Sequence, residues 1–115
     1  MNQEQVDRLS DKLLGFDPLR VEFHELFGWK AVKVYRDEVE VGVFIGKDSI
    51  NKFYFTEKFT DMIMVMEHLK DEDRRAVLKG LLRKMLSLID IKFPRGWHPQ
   101  DLVYYHPTTD GYLFM

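Results

Sequence analysis

The strongest constraint in this sequence is a stripe of large apolar residues between Glu72 and Asp90. Such residues recur there at spacings of three and four: Leu78, Leu81, Leu82, Met85 and Ile89. This period places them on one face of an α-helix, and an apolar face must be buried against another element. The acidic run at 71–73 favours the positive end of the helix dipole. We therefore predict a helix near 72–90 that forms one wall of the core.

The opposite side of this helix is basic, because Arg75, Lys79 and Arg83 step by four along it. The solvent-exposed back of a core helix has this pattern, and we prefer that interpretation. The alternative is a nucleic-acid-binding module in which the three cations contact phosphates. Gly80 lies inside the helix and predicts a close approach by a neighbouring element.

The middle of the chain changes to a period of two, which is typical of strands with one buried face. Valines and one isoleucine alternate with polar residues over 29–45, and Arg36-Asp37 interrupts the run as a tight connection. A third alternating run at 50–55 follows a loop and points Phe53 and Phe55 to one side. These runs predict a three-stranded antiparallel meander.

The flanks of the meander carry further elements. Residues 3–16 and 56–69 show helical spacing, so the second of these forms a helical hairpin with 72–90. Residues 17–28 are ambiguous. Asp17-Pro18 and Gly28 are typical of a helix start and end, which makes a helix our preferred interpretation. The alternation of Val21 and Phe23 with polar residues favours a strand instead. Short strands are predicted at 102–106 and 111–115.

The fold class that follows is α+β, in a single domain spanning 1–115. It has an N-terminal helix, or two, then a three-stranded antiparallel meander, a helical hairpin packed on one sheet face, and a short C-terminal strand or hairpin. A chain of 115 residues is the usual size for one hydrophobic core.

Several function classes are disfavoured by composition. The chain has no cysteine, which excludes disulfides, thiolate zinc sites and cysteine nucleophiles. No apolar run approaches the roughly 20 residues of a membrane helix, and the N-terminus lacks the blocks of a signal peptide. We therefore expect a cytoplasmic protein that does not bind membranes. The net charge of −2 is not that of a typical nucleic-acid-binding domain.

No catalytic constellation is evident. His98 and His106 share a segment with Asp101 and Asp110, but their spacing matches no metal signature. A histidine-based or metal-dependent enzyme is therefore only the third hypothesis, and we assign no catalytic residue, metal ligand or cofactor.

The C-terminal segment is aromatic and has no basic residue after Arg95. It either closes the sheet or forms a partner-binding patch, and closing the sheet is the preferred interpretation. Our leading hypothesis for function is a small protein-binding or regulatory domain without catalysis, whose partner is another protein or a second copy. The candidate binding residues are Arg75, Lys79, Arg83, Trp97, Tyr104 and Tyr105.

Overall fold

The computed structural model describes residues 1–14 and 19–108, and in this part of the chain three helices lie on one face of a five-stranded sheet. The elements in chain order are α1 (Gln3–Leu14), β1 (Leu19–Leu26), β2 (Trp29–Arg36), β3 (Val39–Lys47), β4 (Lys52–Thr56), α2 (Glu57–Met66), α3 (Asp71–Ile89), a short 3-10 helix (Asp90–Lys92) and β5 (Val103–Thr108). The α+β fold class is confirmed.

The sheet has the strand order β1-β2-β3-β4-β5, so β1 and β5 are its two edges. The first four strands are antiparallel neighbours, whereas β5 runs parallel to β4. Adjacent antiparallel strands need only short turns, but a parallel pair needs a long crossover. Here α2, α3 and the segment after them supply that crossover. The predicted meander at 29–55 is present as β2, β3 and β4, and β1 extends it.

The preferred helix at 17–28 is wrong, because Leu19–Leu26 is strand β1. It pairs with β2 along its whole length, from Leu19 opposite Arg36 to Leu26 opposite Trp29. Gly28 has a φ of +82° and belongs to the β1–β2 turn rather than to a helix end. Pairing with a neighbouring strand has overridden the local helix signals.

The long helix is confirmed as α3, and its apolar stripe is buried. α3 packs along α1, while α2 lies over β3 and β4. Gly80 makes the α1–α3 contact possible, since a Cβ at this position would overlap Cγ1 of Val6. The close approach predicted from Gly80 is therefore present.

The two sheet faces differ in what they bury. The face under the helices carries Phe44, Phe53 and Phe55, which join the helix stripes in the main core. The alternate positions Ala31, Val43 and Ile45 form a second, smaller buried cluster on the opposite face, flanked by Trp29 and Tyr54.

The segment between the 3-10 helix and β5 crosses one end of the sheet. It begins beside β1, where Phe93 packs edge-on to Phe23. It then reaches the β3–β4 loop, where the Gln100 amide donates to the Ile50 carbonyl at 2.9 Å. The predicted strand at 102–106 is confirmed as β5, whereas 111–115 lies outside the described residues. None of the described helices is long and apolar enough to cross a membrane.

Candidate protein-interaction surface

The predicted basic residues lie together on the outer side of α3. Arg75, Lys79 and Arg83, which we call the basic helix face, are exposed and form no ion pair with any described residue. Carboxylates of α1 border it, since Asp7 and Asp11 line one pocket together with Arg83. The basic helix face is therefore a narrow row of cations beside carboxylates.

The predicted aromatic residues are divided between the two edges of the sheet. Trp97 is half-buried near β1, where its ring meets Phe23 edge-on at 5.4 Å and the Lys30 ammonium lies 5.5 Å from its centroid. Tyr104 lies in β5, at the other edge, where burial raises its pKa and the nearby Arg74 and Arg75 oppose this rise. Arg75 and Tyr104 therefore lie near one another, whereas Trp97 belongs to a different surface.

Two predicted positions depend on side chains outside the described part of the structure, those of Tyr105 and His106. His98 is exposed, with Nδ1 3.6 Å from Oδ1 of Asp90. In residues 1–14 and 19–108, histidine, aspartate and glutamate form no group of three that could hold a metal ion.

The tip of the β1–β2 hairpin carries an exposed aromatic residue in an unfavourable backbone conformation. Phe27 is 90% exposed, and its φ of +52° is in the left-handed region. It forms a two-residue turn with Gly28, and a turn of type I′ requires positive φ at both positions. The turn is held from the side by the Asp48 amide, which donates to the Gly28 carbonyl at 2.9 Å.

Other non-glycine residues adopt positive φ in the described residues, but they are of types that tolerate it. They are Asp37, Asp48, His68 and Asp101. Short polar side chains and histidine are enriched in this conformation, whereas a bulky aromatic is an outlier. Phe27 therefore combines backbone strain with an almost fully exposed ring.

Two further residues of β1 expose apolar side chains near the tip, on opposite faces of the sheet. Leu26 is 46% exposed and Phe23 is 39% exposed, and Phe23 borders Trp97. We call this surface, from Phe23 to Phe27 with Trp97, the hairpin surface. It lies along the outer side of β1, an eight-residue edge strand that pairs on this side with no other strand of the described residues.

The backbone of β1 presents unused hydrogen-bonding groups on this side. The two-residue turn makes Leu26 and Trp29 a hydrogen-bonded pair, so alternate residues direct their N–H and C=O groups outward. Those residues are Leu19, Val21, Phe23 and Glu25. The Lys92 ammonium donates to the Leu19 carbonyl at 2.6 Å, and the outward backbone groups of the other three form no hydrogen bond with a described residue.

A polar network stiffens the face of the hairpin opposite the helices. The Glu22 carboxylate accepts from Arg20 at 2.9 Å and from the Tyr35 hydroxyl at 3.0 Å. The hydrogen bond from Arg20, followed by that from Tyr35, lowers the pKa of Glu22. Burial, together with the Glu22 contact, raises the pKa of Tyr35 to about 12. The network links β1 to β2 and holds the edge strand in a fixed shape.

Sequence reasoning missed the hairpin surface because it assigned Gly28 to a helix end. The available signal was the alternation in β1 followed by glycine in Leu-Phe-Gly-Trp, a hairpin pattern with an aromatic where asparagine is usual. Comparison with protein-family models, with curated proteins and with solved structures finds no match for this chain.

Proposed function

We propose that this protein is a protein-binding domain that uses the hairpin surface as its interaction element. The observation that carries the proposal is Phe27, a strained and 90% exposed aromatic at the tip of the β1–β2 hairpin. Interface energy is concentrated in a few anchors, and aromatic residues are enriched among them.

Folding alone does not account for a phenylalanine at this position. A left-handed backbone costs a residue with a Cβ about 1–2 kcal/mol, and asparagine or glycine avoids most of that cost. The ring returns little of it, because only one tenth of Phe27 is buried. Strained residues of this kind are concentrated at functional sites, where the surrounding structure holds them in place.

The β1 edge supplies a second reason. An extended segment of a partner could pair with the outward groups of Val21, Phe23 and Glu25 and extend the sheet by one strand. Hydrogen bonds between the main chains would give affinity, while Phe27 would insert into the partner as the specific anchor. Trp97 and Phe23 would form the apolar floor beside the added strand.

Site-specific photocrosslinking tests the proposal. Phe27→benzoylphenylalanine places a photoreactive ring at the tip, and Val65→benzoylphenylalanine is the matched control on α2, where the native side chain is 73% exposed. In cells of the source organism, we expect discrete adducts from position 27 and none of the same mass from position 65. Equal labelling from both positions, or no adduct from position 27, would refute the proposed surface.

The basic helix face supports a second candidate, binding of a nucleic-acid backbone. Its three cations lie about 6 Å apart along the helix axis and have no acidic partner in the described residues. Binding of this kind weakens steeply with salt. A mobility shift that is lost when the three are changed to glutamate would favour it, whereas no shift with DNA or RNA at low salt would exclude it.

A further inference from the structure

We propose that the strand that pairs with β1 is β1 of a second copy of this chain, in antiparallel orientation about Phe23. This inference rests on the proposed function and names the partner of the hairpin surface. Five strands from each copy would form one continuous sheet of ten. Such a dimer has two-fold symmetry, in which the same edge serves both partners.

The geometry of the edge limits the registers available. Residues directly opposite each other in an antiparallel pair lie on the same sheet face, so odd-numbered residues of β1 face odd-numbered ones. The two-fold axis must therefore pass through a residue rather than between two. The central candidates are Val21, Glu22, Phe23 and His24.

Charge distinguishes these registers. With Phe23 at the axis, Glu22 of each copy faces His24 of the other, and a histidine N–H can donate to the carboxylate. With Glu22 at the axis, the two Glu22 carboxylates face each other, which places like charges opposite, and Arg20 faces His24 rather than an acidic residue. With His24 at the axis, the two histidines face each other and Glu22 faces an apolar residue.

The hydrogen bond from Lys92 distinguishes the two remaining registers, which are centred on Val21 and on Phe23. A pairing centred on Val21 requires the outward groups of Leu19, whose carbonyl already accepts from the Lys92 ammonium at 2.6 Å. A pairing centred on Phe23 spans residues 20–26, uses the outward groups of Val21, Phe23 and Glu25, and brings Phe27 of each copy to the Leu19 end of the other copy's β1. It leaves the Lys92 contact intact, and it is the longer of the two pairings.

The Phe23-centred dimer also covers exposed surface. It places the two Phe23 rings, each 39% exposed, directly opposite one another on the helix side of the sheet. Aromatic cross-strand pairs of this type stabilise sheets. The dimer thereby protects the β1 edge from uncontrolled pairing along the stretch where no residue of 1–14 or 19–108 hydrogen-bonds to its outward groups.

Disulfide trapping tests this register without interference, because the natural chain has no cysteine. A hydrogen-bonded antiparallel pair holds its Cα atoms about 5.5 Å apart, within the range of about 4.4–6.8 Å for a disulfide. Phe23→Cys should therefore form a covalent dimer under mild oxidation. Val21→Cys and Glu25→Cys should not do so alone, since each lies about 14 Å from its own copy.

A mixture of the Val21→Cys and Glu25→Cys proteins is the sharpest control, because position 21 of one copy faces position 25 of the other. We expect the mixture to crosslink although neither protein does so alone. Crosslinking of Val21→Cys as efficient as that of Phe23→Cys would overturn the register.

Light scattering measures the mass of the natural chain in solution, so this part of the test does not depend on whether the cysteine variants fold. We expect twice the monomer mass of 13.8 kDa at high concentration. A monomer mass at about 1 mM, where even a 4 kcal/mol interaction is half-formed, would overturn the dimer. If position 27 still crosslinks to a different protein, the proposed function stands and only the dimer fails. If it crosslinks to nothing, both fail.

Discussion

Phe27→Asn should raise the free energy of unfolding and weaken binding of the partner. A residue that serves folding would lower the free energy of unfolding when replaced, so the two effects together identify Phe27 as a binding residue. The left-handed backbone of Phe27 costs about 1–2 kcal/mol, most of which asparagine recovers. Full burial of a phenylalanine is worth about 1.5–3 kcal/mol, so the tenth of Phe27 that is buried contributes about 0.2–0.3 kcal/mol. The net expected gain is about 1 kcal/mol.

Urea and thermal unfolding measure this change, at one low protein concentration because any dimer makes stability concentration-dependent. For a chain of this length, a gain of about 1 kcal/mol raises Tm by about 4 °C. Phe27→Ala is the control. It removes the ring but keeps a Cβ in the strained backbone, so its stability should stay within about 0.5 kcal/mol of the natural protein.

Binding should respond to both substitutions in the same way, since both remove the ring. The partner captured at position 27 should be lost from each variant. If Phe27→Asn is no more stable than Phe27→Ala, the left-handed backbone at position 27 does not cost the natural protein stability that asparagine can recover. If Phe27→Asn retains full partner binding, the ring is not an anchor. Either result refutes the reasoning.

Three further outcomes are expected. Gly80→Ala should lower the urea midpoint by an amount equivalent to about 1–3 kcal/mol, because its methyl group forces α1 from α3, whereas Lys79→Ala should leave it nearly unchanged. Tyr35→Phe should reduce the loss of stability as pH rises from about 10 to 12, because in this range Tyr35 ionises in the unfolded chain but not in the folded one. In the same variant, NMR titration should show a higher pKa for Glu22, which has lost the hydrogen bond from the Tyr35 hydroxyl. Glutamates across the basic helix face should leave crosslinking at position 27 unchanged.

The pH effect of Glu22 has the opposite sense to that of Tyr35. Because the folded protein lowers the pKa of Glu22, its contribution to stability is present above the ordinary carboxyl pKa and is lost as pH falls through the lowered value. Tyr35 contributes below the ordinary phenol pKa, and this contribution disappears as pH rises through about 12. Loss of stability at both ends of the pH range is therefore expected from one network.

The parts of the fold that could be predicted from sequence are those whose signals are local and long. The stripe of α3 repeats over about three turns, from Leu78 to Ile89, and the alternation in β2, β3 and β4 is bounded by turn residues. The position of Gly80 inside α3 was enough to predict that another element packs closely against the helix there. Each of these patterns has one physical interpretation, because a helical stripe and an alternating strand bury different sets of residues.

The parts that could not be predicted depend on contacts between distant residues. β1 has helix signals at both ends and a strand-like alternation between them, and its pairing with β2 decides in favour of the strand. The hairpin surface could not be predicted for the same reason, since Phe27 is a turn residue only once β1 and β2 are paired. The parallel pairing of β5 with β4 likewise requires the whole crossover to be in place. The aromatic character of Trp97 suggested a surface, but not which edge it belongs to.

Amide hydrogen exchange along β1 tests the central claim most directly, because it reports the pairing of individual backbone groups. In dilute monomer, the inward amides of Glu22, His24 and Leu26 should be protected and the outward amides of Val21, Phe23 and Glu25 should exchange freely. When the bound partner is present, we predict that the outward set becomes protected as well. If those three amides remain fast under conditions where binding is complete, β1 is not the interaction strand.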